Sequence, residues 1–124
     1  MIRGIGVDII EIARIRKTVE ESGSRFLDRI FTPHEIAYCT SRKNSHQHFA
    51  ARFAAKEAVS KALATGWDAS FRWRDVEVRN DAGGKPHVTL HGKVRDTLVG
   101  SQVHLSLSHS NSHVVALALI EEQP

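Results

Sequence analysis

The sequence has little of what marks several common protein classes. It contains one cysteine, Cys39, which excludes an internal disulfide and is most simply a helix residue, since nothing pairs with it at metal-site spacing. No apolar run approaches the roughly 20 residues needed to span a bilayer, and the N-terminus enters a strand pattern without the features of a signal peptide. We therefore expect no membrane association and a cytoplasmic location.

Aromatic residues are also scarce, at 6% of the chain, and no recognisable RNA- or DNA-binding motif occurs. The 17 Lys and Arg against 14 Asp and Glu give a net charge of +3 and a pI near 9.4, a balance that favours an acidic partner without identifying it. A non-catalytic basic module that binds nucleic acid is an alternative that would explain this pI. The missing motifs argue against it, and we expect no nucleic-acid partner.

What is present is the composition of a folded domain. Hydrophobic residues make up 41% and charged residues 25% of the chain, which is the balance of a folded globular protein. A length of 124 residues is enough for one domain with a hydrophobic core and too short for two. No internal repeat or low-complexity tract occurs. We predict a single domain over residues 1–124.

The first half of the chain is predicted to be helical after one strand. Alternation over residues 5–9 predicts the strand. Apolar residues at helical spacing then predict an amphipathic helix whose opposite, basic face carries Arg14 and Lys17, and which is interrupted at residues 22–24. Residues 32–35, Thr-Pro-His-Glu, combine an N-cap, a proline at the first helical position and a capping-box glutamate. A further helix therefore begins at this proline.

The longest predicted helix runs from about Gln47 to Thr65, a stretch without Gly or Pro, and ends at Gly66 as a C-terminal cap. The rest of the pattern predicts a hairpin over residues 76–90 and a short helix over 92–99. A strand over 103–108 and a turn at 110–112 then lead to a fully buried apolar strand over 114–120. This order predicts an α+β fold, with a mostly antiparallel sheet packed against the long helix.

Two carboxylates and a lysine are the first candidates for chemistry. Asp8 lies inside an apolar strand and needs a partner, because an unpaired buried carboxylate is costly; a salt bridge or a cap for the next helix is the simplest explanation. Glu57 and Lys61 lie four residues apart on one helix face. They are either a surface ion pair or the carboxylate and lysine that an Mg²⁺–phosphate site requires. The same side of the helix carries three alanines that would leave a shallow surface for a ligand: Ala50, Ala54 and Ala58.

Histidines are numerous, with 8 in the chain. His46 and His48 stand near the start of the long helix, and His104, His109 and His113 flank the last turn. No HExxH or CxxC motif occurs, so we expect no zinc site, and His109, at a strand end, is the histidine of most interest. The Asn-Asp-Ala-Gly-Gly-Lys-Pro segment inside the hairpin is interpreted as a turn, because it precedes a strand rather than a phosphate-binding helix N-terminus.

Four sequence blocks together resemble one known family. They are Gly-Val-Asp-Ile-Ile, Arg-Phe-Ala-Ala-Lys-Glu-Ala-Val-Ser-Lys, Gly-Lys-Pro and His-Leu-Ser-Leu-Ser-His-Ser, at residues 6–10, 52–61, 84–86 and 104–110. In this order they resemble holo-acyl-carrier-protein synthase, the short bacterial type of 4′-phosphopantetheinyl transferase. The resemblance implies the 4′-phosphopantetheinyl transferase fold. It also implies the family's reaction, in which the 4′-phosphopantetheine group of coenzyme A passes to a serine of apo acyl carrier protein. It also implies release of 3′,5′-ADP and a role in fatty acid and lipid biosynthesis.

The same resemblance implies a metal centre. Asp8 and Glu57 would bind Mg²⁺ beside the pyrophosphate of coenzyme A, and Lys61 would neutralise charge on the same phosphates, stabilising the leaving group. Glu57, directly or through a water, would take the proton of the serine. A metal-dependent phosphohydrolase, using these carboxylates with water as the nucleophile, is a further alternative.

The resemblance also implies the contacts with coenzyme A, the carrier protein and other subunits. Four residues would lie along the coenzyme A nucleotide: Arg52, Lys85, Pro86 and His109. The basic face with Arg14 and Lys17 would meet the acidic carrier protein, with Arg25 and Arg29 as the next docking candidates. Short members of the family are homotrimers with sites between subunits, which implies a homotrimer here. One departure is Asn111, which stands where an acidic residue is common.

Overall fold

The computed structural model describes residues 1–63 and 71–124, and its helices and strands follow the predicted order. The elements are β1 (Ile2–Glu11), α1 (Ile12–Ser22), α2 (Ser24–Ile30), α3 (Pro33–Thr40), α4 (Ser45–Ala62), a 3₁₀ turn (Trp73–Asp75), β2 (Val76–Asn80), β3 (Pro86–Leu90), α5 (Gly92–Thr97), β4 (Ser101–His109) and β5 (His113–Glu122). The predicted α+β fold is confirmed. Only α2 and the 3₁₀ turn, among the described elements, lack a counterpart in the sequence pattern.

Three strands form the main sheet. β1 and β4 both pair antiparallel with β5, which lies between them; Asp8 stands opposite Ala116, and His109 opposite Val114. β2 and β3 form a separate antiparallel hairpin. The turn of this hairpin is held by Asp81, whose carboxylate accepts hydrogen bonds from the backbone N–H groups of Gly83 and Lys85. Every described strand pairing is antiparallel, as predicted.

α4 packs against one face of the main sheet at very short distance. A Cβ on Gly4 or Gly6 of β1 would lie 1.9 or 2.0 Å from the carbonyl oxygens of Ala62 and Ala58, respectively. These contacts leave no room for a side chain at either glycine, so that backbone meets backbone. Because Asp8 follows Gly6 on the same face of the strand, the close packing brings its carboxylate to α4.

Two predictions about burial are wrong. Ala50, Ala54 and Ala58 do not form a shallow open surface, because they are fully buried on the side of α4 that packs against the core. β5 is not buried on both faces: its residues alternate between buried and more exposed, and Leu117 is 39% exposed. The alternation arises because α4 packs on one face of the sheet while the opposite face keeps exposed apolar side chains.

A group of buried polar side chains ties α3 and α4 to β2. Lys56 Nζ lies 2.9 Å from Glu35 Oε1, with both side chains fully buried, and donates to the backbone carbonyls of Trp73 and Val76. Glu35 is also the capping-box residue of α3 and accepts the backbone N–H of Thr32. The predicted cap is therefore confirmed, and its glutamate has a second, interior role.

The helix bounds differ little from those predicted. α4 begins at Ser45 and is described to Ala62; the predicted end at Thr65 and its cap at Gly66 lie outside the described residues. Cys39 is a helix residue, as predicted, and it is buried within α3. Among residues 1–63 and 71–124, none of the helices combines the length and the hydropathy that a membrane span requires.

Candidate active site

Asp8 lies where β1 meets α4. Its Oδ1 is 2.9 Å from Nζ of Lys61, which also donates to the backbone carbonyl of Val7 at 3.3 Å. The Asp8 side chain is 12% exposed and that of Lys61 is 53% exposed, so the pair is open on the lysine side. Lys61 pairs here with Asp8 rather than with Glu57. The close packing of the strand on the helix explains the difference.

Glu57 lies beside this pair. Burial raises the pKa of its carboxyl group, the negative charge of Asp8 raises that pKa further, and the charge of Lys61 opposes both effects. The hydrogen bond to Asp8 in turn raises the pKa of Lys61. Two carboxylates that repel each other, with one exposed lysine beside them, form an arrangement that a divalent cation would relieve.

One oxygen of this carboxylate cluster (Asp8, Glu57 and Lys61) is unused. Oδ2 of Asp8 is buried and has no hydrogen-bond partner among the described residues, which is unusual for a buried carboxylate oxygen. Mg²⁺ prefers oxygen ligands and is commonly held by one or two carboxylates together with water and phosphate oxygens. No group of three or more His, Cys, Asp and Glu side chains that could hold a metal occurs in residues 1–63 and 71–124. Two carboxylates, one with a free oxygen, nevertheless fit Mg²⁺, which can complete its shell with water and phosphate oxygens. Metal binding by these residues stays a prediction.

A cavity of about 330 Å³ lies at another side of α4. It brings together all four residues that the resemblance assigned to the nucleotide: Arg52, Lys85, Pro86 and His109. They come from α4, the hairpin turn, the start of β3 and the end of β4, so only the fold makes them neighbours. Arginine and lysine side chains suit a phosphorylated ligand. Contact of these residues with a nucleotide stays a prediction.

Arg52 is held on two sides within this cavity. It is only 3% exposed, its Nη2 donates to Oδ1 of Asn80 at 2.7 Å, and its guanidinium carbon lies 4.3 Å from the centroid of the Tyr38 ring, within cation–π range. Its Nε is buried without a hydrogen-bond partner among the described residues. A guanidinium positioned in this way retains donor groups for an anion.

Three residues that line the cavity were missed by the sequence reasoning as ligand contacts: Tyr38, His48 and Asn80. The Tyr38 ring also lies 4.5 Å from the guanidinium carbon of Arg42, four residues further on and just beyond the end of α3, and this Tyr–Arg spacing was the available signal. Burial lowers the pKa of His48, and the charges of Arg52 and Arg42 lower it further. His48 is therefore mostly neutral at pH 7.

Of the five histidines singled out from the sequence, His48 and His109 line this cavity. His104 pairs instead with Glu121 at 3.0 Å on an exposed part of the sheet. His113 contacts the side chain of its neighbour, Ser112. Asn111, the departure from the family pattern, is exposed in the turn between β4 and β5 and does not line the cavity.

The carboxylate cluster and the cavity do not share one pocket. Arg52 and Glu57 are five residues apart on α4, so their side chains leave the helix in directions roughly 140° apart. Asp8, Glu57 and Lys61 are not among the residues that line the cavity. A ligand that uses both regions must therefore extend around the helix or bridge two chains.

The predicted docking face has the predicted exposure. α1 buries Ile12 and Ile15, whereas Arg14 and Lys17 are exposed. The reserve candidates on α2, Arg25 and Arg29, are exposed too. The contact of any of these arginines and lysines with a carrier protein stays a prediction.

Comparison with known proteins gives one consistent result. The family model described as the 4′-phosphopantetheinyl transferase superfamily matches residues 4–118. The chain is 46% identical to the holo-[acyl-carrier-protein] synthase of Koribacter versatilis, over 98% of this chain and 100% of that one. Among solved structures it is similar to the holo-(acyl-carrier-protein) synthase of Bacillus anthracis in complex with CoA (3′,5′-ADP), with a TM-score of 0.85, 40% identity and 99% of each chain covered. It is also similar to the Neisseria meningitidis synthase, with a TM-score of 0.89, 34% identity, and coverage of 98% of this chain and 100% of that chain.

Proposed function

Because the chain belongs to the holo-[acyl-carrier-protein] synthases of the 4′-phosphopantetheinyl transferase superfamily, we propose that its carboxylate cluster and its cavity together carry that reaction. The 4′-phosphopantetheine group of coenzyme A passes to a serine of apo acyl carrier protein, and 3′,5′-ADP leaves. The observation that carries the proposal is the pairing of an acidic cluster at Asp8 with a basic cavity around Arg52. The product serves fatty acid and lipid biosynthesis in the cytoplasm.

The carboxylate cluster is the proposed Mg²⁺ site. Asp8 and Glu57 would hold the cation through their carboxylate oxygens, and the buried Oδ2 of Asp8, which has no hydrogen-bond partner among the described residues, supports this assignment. When bound, Mg²⁺ supplies Lewis-acid stabilisation of the phosphate charge that develops during transfer. Lys61 is exposed enough to leave Asp8 and neutralise the same phosphates.

Glu57 is the proposed general base. Its carboxylate lies beside Asp8 and Lys61 in the carboxylate cluster, where it would remove the proton from a serine hydroxyl, directly or through one water. The serine oxygen then forms a bond to the phosphorus that carries the pantetheine arm. The bond from that phosphorus to the bridging oxygen breaks, and the electron pair leaves with 3′,5′-ADP.

The cavity is the proposed nucleotide site. Arg52 and Lys85 supply positive charge, His109 supplies a hydrogen-bonding ring at the strand end, and Pro86 contributes an apolar wall. Fixed donors of this kind bind phosphates through charge-assisted hydrogen bonds. Holding the nucleotide orients the pyrophosphate for attack and lowers the entropic barrier.

The proposed assembly is a homotrimer. Ile5, Val7 and Ile9 expose 61%, 56% and 63% of their surface on one face of the sheet, and such a strip of apolar side chains is typical of a protein–protein contact. The carboxylate cluster and the cavity occupy different sides of α4 in one chain. A neighbouring chain on the apolar face would bury it and allow a site shared between subunits.

Mixing inactive chains tests this assembly. If one site uses Asp8 from one chain and Arg52 from another, chains altered as Asp8→Ala and chains altered as Arg52→Ala should partly restore activity when refolded together. Two copies of the same variant form the control. Light scattering that gives a stable, active monomer would refute the trimer.

One assay tests the reaction itself. The protein is incubated with coenzyme A, Mg²⁺ and apo acyl carrier protein, and the carrier is weighed by mass spectrometry. One added phosphopantetheine per carrier is expected. An unchanged carrier with coenzyme A intact would favour the nucleic-acid module, and hydrolysis of coenzyme A without transfer would favour the phosphohydrolase.

A further inference from the structure

We propose that Asn80 is a positioning residue that fixes Arg52 and the turn carrying Lys85 in one arrangement for an anionic ligand. The proposal rests on the proposed function in one respect, that this cavity binds a phosphorylated nucleotide. It adds a role for a residue that the sequence pattern indicates only as the first residue of a turn.

The side-chain amide of Asn80 uses both of its ends. Oδ1 accepts from Nη2 of Arg52 at 2.7 Å, and Nδ2 donates to the backbone carbonyl of Gly84 at 2.9 Å. Because arginine can only donate and a carbonyl can only accept, the orientation of the amide is fixed by its partners. One short side chain therefore joins α4 to the hairpin turn.

Both ends act on groups that line the cavity. On the helix side, Asn80 and the ring of Tyr38 hold the buried guanidinium of Arg52. On the turn side, Gly84 adopts a positive φ of 86°, a backbone conformation that suits glycine, and the next residue is Lys85. Anchoring the carbonyl of Gly84 thus orients the peptide that leads into Lys85.

Few residue types can replace this side chain. Aspartate keeps the acceptor and loses the donor, alanine loses both, and glutamine is one methylene longer. The requirement for a donor and an acceptor at one length makes the inference testable by substitution.

The test measures binding of 3′,5′-ADP by titration calorimetry, which needs no turnover. Four chains are compared: the wild type, Asn80→Ala, Arg52→Met and the double variant. We expect Asn80→Ala to weaken binding about tenfold, the size of one hydrogen bond to a charged group. In the Arg52→Met background the same change should cost much less, because residues that act through one another are not additive.

A matched control separates positioning from damage to the turn. Asp81→Ala removes two hydrogen bonds within the same turn, to the N–H groups of Gly83 and Lys85, and leaves the Asn80 bond to Arg52. We expect Asp81→Ala to weaken binding less than Asn80→Ala does, and its effect to be the same with and without Arg52. Steady-state kinetics should give a raised KM for coenzyme A in Asn80→Ala with kcat and the KM for carrier protein nearly unchanged.

The outcomes distinguish the two proposals. If the wild type does not bind 3′,5′-ADP, the nucleotide site itself is wrong. If the wild type binds and Asn80→Ala binds equally well, or if its effect is fully additive with Arg52→Met, Asn80 does not position Arg52. A fall in kcat at saturating coenzyme A with unchanged nucleotide affinity would also overturn the positioning role.

Discussion

Two ion pairs on α4, five residues apart, join a lysine to a carboxylate on another element. Lys56 and Glu35 are both fully buried, whereas Lys61 is 53% and Asp8 12% exposed. Burial lowers the pKa of Lys56 despite the opposing charge of Glu35, while the hydrogen bond to Asp8 raises the pKa of Lys61. The inner pair lies in the interior and the outer pair at an opening to solvent.

The difference teaches where stability and chemistry are separated along one helix. Breaking a buried pair leaves a charge without water or partner, which is strongly destabilising. An exposed pair contributes little to folding, so its members can change partners at little cost to the stability of the fold. The first two predictions below test this separation, and the other two extend it to a second buried carboxylate and a second exposed surface, from the largest expected effect to the smallest.

Substitution of Asp8 should remove activity and spare the fold. Asp8→Asn or Asp8→Ala, and likewise Glu57→Ala, should lower transfer to the carrier protein at least about 10³-fold, because each removes a proposed ligand of one cation. The thermal midpoint should move by only a few degrees. Mass spectrometry of the carrier and calorimetric unfolding measure the two effects. Glu11→Gln, an exposed change on the same strand, is the control; near-normal turnover of Asp8→Asn at limiting Mg²⁺ would contradict the two-carboxylate site.

Substitution of Lys56 should have the opposite signature. Lys56→Met leaves Glu35 buried without its charge partner and should lower the free energy of unfolding by about 3–5 kcal/mol. Lys61→Met should change it by less than about 1 kcal/mol. Urea unfolding measures both, and Lys56→Met combined with Glu35→Gln should recover part of the loss. Similar stabilities for the two single variants would remove the distinction between the inner and outer pairs.

Acid should act on the interior through Glu77. Burial raises the pKa of this carboxyl, but hydrogen bonds from Thr32, His91 and Arg79 outweigh burial and lower it to about 2. A folded pKa below the ordinary value of 4.5 means that Glu77 stabilises the fold above about pH 4.5. The contribution is lost as the pH falls through about 2.

The size of the Glu77 effect can be measured by comparing pH profiles. The wild type should lose up to about 3 kcal/mol more than Glu77→Gln between pH 5 and pH 2, since each pKa unit corresponds to about 1.4 kcal/mol. Denaturant unfolding at a series of pH values gives both curves. Parallel profiles for the two chains would show that Glu77 is not responsible for acid sensitivity in this range.

The smallest effect is expected on the surface of α1. Arg14→Glu should raise the KM for acyl carrier protein about tenfold and leave the KM for coenzyme A unchanged, because the exposed positive face attracts an acidic partner. The difference should fade at 1 M salt, where the Debye length is about 3 Å. Arg95→Glu on α5, which is also exposed, is the control. Equal kinetics for Arg14→Glu and wild type at low salt would move the docking surface to Arg25 and Arg29.

The elements of the fold could be predicted because their signals are local. The capping box at Thr32, the alternation in the strands and the turn at Asp81 each depend on neighbours within a few residues. The sequence did not show which face of a strand points inward, because the alternation is the same for either orientation. In β1, Ile5 and Val7 are exposed, whereas the opposite face with its small residues and Asp8 packs on α4.

The sequence indicated which residues belong to the candidate site, but not which of them contact one another. The family resemblance led to Asp8, Glu57 and Arg52. The partner of Lys61 was missed, because contact across 53 residues of sequence depends on how the strand packs on the helix. Asn80 was missed for the same reason, since its bond to Arg52 spans 28 residues.

At Gly4 and Gly6, the strand has no side chain between its own backbone and that of α4. A side chain at either position would have to push β1 away from α4. Because Asp8 is on this strand and Lys61 is on this helix, such a shift would also lengthen the 2.9 Å ion pair between them. The two glycines therefore act as a spacer of zero thickness that sets how close the carboxylate and the lysine can come.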